Sequence, residues 1–280
     1  MSSLIIPESR AQDIHYPEVL ETADLILFMA GNQFMVMEEL LGQFKRRYPE
    51  VRSVFYETLP PGLELKQILS GGARFGNWLL PSIPDVYTAV KEEAMQKLEG
   101  AGLIEKGHYK VYLHNRIVLM VAQGNPLGIR SVQDLARDEV RISQPNPELE
   151  DIGLHILNMY RQAGGEELVY RIMEEKRAEG TTIYTVVHHR ETPLRFQKGT
   201  VDVGPVWATE VIEAQGKGLK VEAVEVGRDL DQRDRVNYYI TTFKKSPHPE
   251  NARKFLDFIV SPEAQGIYQK YGFIPHLDRV

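Results

Sequence analysis

The chain has 280 residues and no cysteine, carries a formal net charge of -6 at pH 7, and is 42% hydrophobic and 26% charged. The missing cysteines exclude disulfide scaffolds, thiolate metal sites and cysteine nucleophiles. The composition is ordinary for a globular protein, and no run approaches the roughly 18 apolar residues of a membrane span. The acidic balance argues against a nucleic-acid binder, so a bound anion must be held by local donors.

The beginning of the chain is weakly patterned. Residues 1–23 contain two prolines and are predicted to form an arm that lies on the body of the protein. Met1 to Glu21 lack the charged, apolar and small-residue regions of a secretory signal. Two interpretations stay open: a cytoplasmic protein, or an exported protein whose signal has been removed.

After the arm the pattern becomes α/β. Leu25 to Met29 is a continuous apolar run, typical of a strand buried on both faces. Apolar residues from Phe34 to Tyr48 recur at spacings of three and four, which predicts a helix. Val51 to Tyr56 predicts a second strand, and Leu63 to Leu69 a second helix ended by two glycines. This order predicts a β-α-β-α unit with a parallel sheet.

The same alternation continues to the end of the chain, which predicts two α/β lobes. The further predicted elements are a strand at Asp85 to Tyr87, a helix from Lys91 to Glu99, a strand from Arg116 to Val121, a short helix capped by Ser131, a strand from Val140 to Ser143, helices at about Asp151 to Ala163 and Glu166 to Ala178, strands from Ile183 to Val187, Val201 to Val206 and Asn237 to Thr242, and two final helices around Phe255 and after Ser261.

Four segments, in their order along the chain, resemble the extracytoplasmic solute-binding proteins of the molybdate, tungstate and sulfate type. Together they extend from about Leu25 to Pro275. The segments are Leu25 to Pro49, Asn115 to Val121 with Gly124 to Pro126 and Ser131 to Ala136, Gly199 to Trp207, and Ala252 to Gln265 with Tyr271 to Pro275.

The resemblance implies a two-lobed class II periplasmic-binding-protein fold. Each lobe is expected to be a mixed, mostly parallel sheet flanked by helices, with a two-segment hinge. Lobe one would comprise residues 24–114 plus 242–280 and lobe two residues 115–241, with crossings near 115–121 and 237–242.

The resemblance also implies a function. Such proteins close on a solute and deliver it to the membrane permease of an ABC transporter. They have no catalytic residues, no cofactor and no resident metal. For this chain the resemblance implies a periplasmic or extracytoplasmic monomer that binds a small, molybdate-like or tungstate-like oxyanion in a cleft between the lobes, and no nucleic acid.

Candidate ligand contacts in lobe one lie after the strands, because ligands of open α/β sheets bind at the carboxyl ends of strands. Gly31, Asn32 and Gln33 are predicted to offer backbone and side-chain donors to an oxyanion, the alternative being a simple cap by Asn32. Thr58 is a second predicted contact, or part of a rigid proline turn. An ionised Glu57 would repel an oxyanion unless it turns away or pairs with an arginine. Tyr87 is a candidate lining residue. The resemblance implies that Asp85 helps to organise the binding edge without touching the ligand, and we interpret Asp85 as structural.

In lobe two, Asn146 precedes a helix and is a candidate contact, with a surface turn as the alternative. The dense polar cluster from His188 to Thr192 follows a predicted strand and suits the rim of a cleft. His189 and Arg190 would supply positive charge to an anion. No third ligand accompanies the two histidines at metal-site spacing, so no metal site is predicted. A solvated loop is the alternative for this cluster.

Two positions in lobe two are interpreted through the resemblance. Glu191 matches a glutamate that coordinates the metal centre in archaeal molybdate and tungstate binders. Trp207 stands where relatives commonly have tyrosine, and Gln33 where serine is typical. These departures indicate a ligand that differs from that of the nearest relatives.

Other functions remain as alternatives. An enzyme is disfavoured, because the chain has no Gly-x-Ser-x-Gly elbow, phosphate-binding glycine loop or His-Glu-x-x-His motif. A ligand-sensing regulatory domain of the same fold is a second alternative, although the arm contains no evident helix-turn-helix. A binder of a different small solute is a third.

Overall fold

The structure is a computed structural model that describes residues 4–148, 150–186 and 190–276. The chain divides into two compact units. Unit one comprises Met1–His114, Asn237–Lys270 and Ile274–Val280, and unit two comprises Asn115–Val236 and Tyr271–Phe273. Within the described ranges, no helix combines the length and the apolar character that crossing a membrane requires.

Short strands make up both units. In chain order the strands are β1 Ile14–His15, β2 Leu25–Phe28, β3 Val54–Glu57, β4 Ala73–Phe75, β5 Trp78–Leu80, β6 Val86–Ala89, β7 Tyr109–His114, β8 Ile117–Ala122, β9 Ile142–Gln144, β10 Thr182–Tyr184, β11 Val203–Trp207, β12 Val221–Glu225, β13 Asn237–Thr242 and β14 Ile274–Pro275.

Helices alternate with these strands. In chain order the α-helices are α1 Met37–Arg47, α2 Pro61–Leu69, α3 Glu92–Gly100, α4 Asp151–Tyr170, α5 Lys176–Ala178, α6 Glu191–Gln197, α7 Ala208–Gly216, α8 Pro249–Ile259 and α9 Pro262–Lys270, while 3-10 helices span Glu8–Asp13, Pro17–Thr22, Gly31–Gln33 and Val132–Ala136, and a π-helix spans Arg171–Glu175.

Unit one is built on a sheet in the order β1-β3-β2-β6-β13-β7-β14. The central strands β3, β2 and β6 are parallel, and each is followed by a helix. Every residue of these three strands is buried, which explains the continuous apolar run of β2. On one side, Phe44 of α1 packs against Phe255 and Phe258 of α8, with ring centroids 5.2 and 5.4 Å apart.

Unit two contains a sheet in the order β10-β9-β11-β8-β12. Its parallel strands are β10, β9 and β11, and β8 and β12 are antiparallel additions. The predicted break between two helices falls at Gly164 and Gly165, where the backbone of α4 leaves helical geometry. Ser131 and Asp134 form the predicted capping box of a short helix.

One expectation about the sheets is wrong. Among the described residues, parallel pairings are two of six in the first sheet and two of four in the second, so neither sheet is mostly parallel. Strand β13, which covers the predicted crossing near 237–242, pairs with β6 and β7 in the sheet of unit one. The segment before β13 belongs to unit two and is not a crossover helix packed on this sheet. Strand β13 can therefore run antiparallel to its neighbours.

A buried carboxylate joins distant segments of unit one. Asp85, immediately before β6, is fully buried and accepts the backbone N–H of Ile26 at 2.7 Å. It also accepts the hydroxyl of Ser246 at 2.5 Å and the backbone N–H of His248 at 2.6 Å, and its second oxygen lies 2.9 Å from Nδ1 of His248. Asp85 therefore ties β2 to the start of α8. It does so at the amino ends of the parallel strands, so Asp85 is structural, as interpreted from the sequence, and lies away from the ligand edge.

Replacing Asp85 by Ala should lower the free energy of unfolding by about 3 kcal/mol or more, because each buried donor left unsatisfied costs about 1–3 kcal/mol. Urea unfolding measures this loss. Asp257→Ala, on the exposed side of α8, is the control and should change stability by less than about 0.5 kcal/mol. Equal stabilities of the two variants would contradict the role of Asp85.

Candidate functional site

Each unit has one edge at which the carboxyl ends of its parallel strands meet. In unit one, the loops after β2 and β3, residues 29–33 and 58–60, form what we call the first edge. In unit two, the loops after β9 and β10 and the end of β11, residues 145–148, 185–186, 190 and 207, form the second edge. The predicted site residues other than Tyr87, His189 and Glu191 lie on these two edges.

The loop after β2 presents backbone donors. The N–H of Ala30 donates to Oγ1 of Thr88 at 2.7 Å, which fixes the loop against β6. Within the described part of the chain, the N–H groups of the next two residues, Gly31 and Asn32, make no hydrogen bond. Both residues are buried in the protein. Two neighbouring backbone donors without acceptors are what an oxyanion can bind.

Gln33 does not line the edge with its side chain, contrary to the expectation. It is fully buried, and its Nε2 donates to Thr88 at 3.1 Å. Its Oε1 accepts the hydroxyls of Tyr112 at 2.8 Å and Tyr268 at 2.7 Å. The side-chain amide of Gln33 therefore makes its hydrogen bonds inside unit one, where it accepts those of two buried tyrosine hydroxyls. Its contribution to the edge is to hold the loop in place.

Asn32 is placed in a similar way. Its side chain is buried, and Nδ2 donates to the hydroxyl of Tyr238 in β13. The alternative, a simple cap by Asn32, is not observed: the 3-10 helix Gly31–Gln33 has no side-chain cap. Asn32 therefore orients its own backbone N–H through a side-chain anchor.

Thr58 lies at the first edge, directly after β3, and is almost fully buried. Its backbone N–H donates to the carbonyl of Asp13 at 2.8 Å. Its Oγ1 lies 3.1 Å from Nε2 of His15. The arm therefore reaches the edge, where strand β1 pairs with β3. No pattern in the sequence predicted this contact.

Glu57 turns away from the edge. Its Oε1 accepts Nε2 of Gln67 in α2 at 3.0 Å, while its other oxygen has no hydrogen-bond partner among the described residues. Complete burial raises the pKa of Glu57 to about 8, against which the hydrogen bond from Gln67 acts weakly. At neutral pH the carboxyl is therefore largely uncharged. Glu57 therefore does not repel an anion, because burial keeps its carboxyl neutral; among the described residues it does not pair with an arginine.

Glu64 of α2 adds to this effect. Burial raises its pKa well above the ordinary value, and the nearby Glu57 raises it further, because two buried carboxylates cannot both ionise without partners. The backbone N–H of Leu59 approaches Glu64 and opposes this shift, but in the described ranges neither carboxyl oxygen has a hydrogen bond of normal geometry. The two carboxyls are thus a neutral acid pair beneath the first edge.

Tyr87 is a core residue. Its ring belongs to the hydrophobic cluster of unit one together with Phe28, Phe55 and Leu59. Its hydroxyl donates to the carbonyl of Pro61 at 2.8 Å. The structure therefore places the tyrosine behind the edge, as support for the start of α2. Thr88, the next residue along β6, is the one that contacts the edge loop.

At the second edge, Asn146 organises its own turn. Its Oδ1 accepts the N–H of Glu148 at 3.0 Å, and its carbonyl accepts the N–H of Glu150 at 2.9 Å. The turn packs closely on α4, since a Cβ added at Gly153 would lie 2.4 Å from Cα of Pro147. This is the turn interpretation of Asn146, with a half-buried side chain.

Glu191 is engaged within unit two. Its Oε2 accepts the backbone N–H of Val186 at 2.6 Å, and its Oε1 accepts Nη2 of Arg195 at 2.6 Å. Arg195 also donates to the carbonyls of Ile183 and Tyr184 at 2.7 and 2.8 Å. The pair therefore holds the loop after β10 to α6. Arg195 was missed, although the Glu-x-x-x-Arg spacing on one helix was a signal for the pairing.

Close packing fixes the start of α6. The hydroxyls of Ser143 and Thr192 lie 2.9 Å apart. A Cβ added at Gly204 of β11 would lie 2.6 Å from Cγ2 of Thr192, which leaves no room for any other residue there. Because of this approach, α6 begins directly above β9 and β11.

Two further predicted residues are located at the second edge. Arg190 is half-buried in the turn immediately before α6. Trp207 ends β11, is almost fully buried, and lies with its ring 6.0 Å from that of His155. The predicted contact His189 lies outside the described residues, as does His188.

Comparison with known proteins defines the family. Residues 25–274 match the model of the bacterial extracellular solute-binding protein family, and the chain belongs to that family. The family is a class of binding proteins rather than a class of enzymes. Its match covers both units and both edges.

Individual relatives agree with this assignment. The chain is 30% identical over 208 residues to the sulfate-binding protein of Synechococcus elongatus. The matched region covers 69% of this chain and 58% of the relative. The chain thus spans less than two thirds of the length of that relative. The fold is similar to that of the periplasmic molybdate-binding protein of Azotobacter vinelandii, with a TM-score of 0.70, 20% identity, and coverage of 90% of this chain and 100% of that one.

The fold also occurs with other ligands. Iron-bound HitA of Pseudomonas aeruginosa is similar with a TM-score of 0.67 and 17% identity, covering 91% of this chain and 87% of HitA. At these identities the structural likeness establishes the two-lobed binding-protein fold alone. The class of ligand depends on the donors and charges at the two edges.

The acid pair predicts a pH dependence of stability. The pKa of Glu57 is 4.5 in the unfolded chain and about 8 in the folded protein, so the stability it contributes is complete below about pH 4.5 and is lost progressively as the pH rises towards about 8. Glu57→Gln should remove this part of the loss and unfold at a higher urea concentration than the parent at pH 8.

Urea unfolding between pH 5 and pH 8.5 measures this difference. The exposed Glu18→Gln is the control and should follow the parent at every pH. If Glu57→Gln lost stability with pH as steeply as Glu18→Gln does, Glu57 would be ionised in the folded protein and the neutral pair would be wrong.

Proposed function

We propose that this chain is the solute-binding component of an ABC-type uptake system, and that it binds a small, fully ionised oxyanion of the sulfate, molybdate and tungstate class. The sulfate-binding relative and the molybdate-binding structural neighbour support this class of ligand. The protein binds its ligand by the hinge closure that its fold family implies, and releases it chemically unchanged.

The observation that carries the proposal is the chemistry of the first edge. Gly31 and Asn32 present backbone N–H groups with no acceptor in the described chain, and the hydroxyl of Thr58 lies on the same edge. The one carboxyl on the adjoining strand end, Glu57, is turned inward and is held neutral by burial. The carboxylate of Asp13, whose backbone contacts Thr58, pairs with Arg10 at 3.6 Å. Donors whose neighbouring carboxyls are neutral or paired favour an anion, even in a protein whose net charge is -6.

In unit two, we propose the residues of the second edge as ligand contacts. Arg190 supplies a guanidinium group, which suits the geometry of an oxyanion, and Trp207 supplies an indole N–H and a rigid wall. Asn146 and His189 remain proposed contacts on the same loops. Glu191 is not proposed as a direct ligand, because both of its oxygens are already occupied by Val186 and Arg195.

The family supports the proposed cellular setting. We place the protein outside the cytoplasmic membrane, as a monomer that delivers its ligand to a membrane permease. Binding to nucleic acid and catalysis have no part in this function.

Tryptophan fluorescence tests the ligand class. The chain has two tryptophans, of which Trp78 is 40% exposed and Trp207 is 2% exposed. Sulfate, molybdate and tungstate are titrated separately into the Trp78→Phe variant, with glycine and glucose as comparison solutes. At least one oxyanion should change the emission of Trp207, and at a hundred times its Kd should add about 2.7 kcal/mol of stability.

The matched variant Trp207→Phe should lose the fluorescence change while Trp78→Phe keeps it. If none of the three oxyanions binds, the proposed ligand class is wrong. Binding of glycine or glucose instead would identify a binder of another small solute.

Arg190→Ala should weaken binding of the active oxyanion by about tenfold or more, because a hydrogen bond between charged groups contributes about 1.5–3 kcal/mol. Isothermal titration calorimetry measures the change. Arg130→Ala removes an exposed guanidinium elsewhere in unit two and should leave the affinity within about twofold. Equal affinities of both variants would remove Arg190 from the proposed site.

A further inference from the structure

The arm carries a histidine to the first edge. Strand β1 pairs antiparallel with β3, with Ile14 opposite Glu57 and His15 opposite Tyr56. The imidazole of His15 stacks on the ring of Tyr56, with centroids 4.1 Å apart and planes within 8°. In this position Nε2 of His15 lies 3.1 Å from Oγ1 of Thr58. Backbone pairing and ring stacking together hold the imidazole against the threonine.

The backbone after His15 is constrained. Tyr16 has a φ of 60°, in the left-handed region that residues with a side chain rarely adopt. Such a conformation persists only where the surroundings impose it. Strand β1 ends at His15, the residue whose imidazole lies beside Thr58.

Thr58 has two hydrogen-bond donors, and the arm controls both. Its backbone N–H is occupied by the carbonyl of Asp13 at 2.8 Å. Only its hydroxyl hydrogen remains for a ligand, and a hydroxyl has a single hydrogen and two acceptor lone pairs. If His15 accepted that hydrogen, Thr58 would turn lone pairs towards the edge and would repel an anion. If His15 donates instead, the hydrogen is available.

We propose that His15 is a positioning residue of the oxyanion site: its Nε2–H donates to Oγ1 of Thr58, so that the hydroxyl hydrogen of Thr58 points to the bound anion. This inference rests on the proposed function and deepens it. It makes the arm part of the binding site, and it selects ligands that accept a hydrogen bond at this point, such as oxygen atoms of a fully ionised oxyanion.

A second histidine provides a matched control. Nε2 of His108 lies 3.0 Å from Oγ1 of Thr242, in the same unit and with the same chemistry. Thr242 pairs with Val86, the first residue of β6, and therefore lies at the amino ends of the parallel strands. Any general effect of removing a histidine–threonine contact in unit one should appear in both pairs.

The first experiment uses calorimetric titration with sulfate, molybdate and tungstate. His15→Phe keeps a ring to stack on Tyr56 but has no N–H, and should weaken binding about tenfold, near the lower limit for a hydrogen bond in a charged network. His15→Gln restores a donor and should recover affinity to within about threefold of the parent. His108→Phe should bind like the parent.

A double-mutant cycle separates positioning from structural support. Thr58→Val removes the hydroxyl and keeps the shape of the side chain. If His15 acts through that hydroxyl, His15→Phe should cause no further loss of affinity in the Thr58→Val background. An additional tenfold loss there would overturn the inference.

The tautomer can be read without any variant. Nitrogen-15 NMR of the folded parent should show a proton on Nε2 of His15 with and without the bound oxyanion. A neutral ring protonated only at Nδ1 would overturn the inference, as would unchanged affinity of His15→Phe. If the parent binds none of the three oxyanions, the proposed function itself fails, and this outcome differs from binding that is indifferent to His15.

Discussion

The segment around β6 holds the neighbouring strand β2 at both ends by side-chain hydrogen bonds. Asp85, just before β6, accepts the N–H of Ile26 near the start of β2, and Thr88, three residues later, accepts the N–H of Ala30 just after its end. The same aspartate accepts the backbone N–H of His248, which follows the residues of unit two along the chain. These hydrogen bonds join segments of unit one that are distant in sequence. They also fix the position of the loop that begins at Ala30.

Periodicity predicted the central elements, because strands buried on both faces and amphipathic helices leave clear patterns. The hairpin of β4 and β5 and the edge strand β12 were missed, since strands of three to five residues with exposed side chains carry little periodic signal. Strand direction was misjudged for a different reason. Alternating strands and helices predict parallel pairing, but β13 joins its sheet after an excursion through another unit, which no local pattern records.

The candidate site was predictable as a set of loops but not as a set of contacts. The rule for carboxyl ends of strands located Gly31 and Thr58, since it depends on topology alone. The fate of each side chain depends on partners far away in sequence. The side-chain carbonyl of Gln33 accepts hydrogen bonds from two tyrosine hydroxyls, and burial keeps the carboxyl of Glu57 neutral. Similarly, His15 meets Thr58 through a strand pairing between segments 43 residues apart.

The glycines at 153 and 204 have a consequence for engineering new ligand specificity. At both positions a methyl group would overlap a neighbouring segment, Pro147 in one case and Thr192 in the other. The main chain of unit two therefore approaches neighbouring segments closely at these two points, and a larger residue there would force one of them to shift. Redesign libraries should leave these two codons untouched and diversify the side chains on the loops instead, where volume can be changed without moving the scaffold.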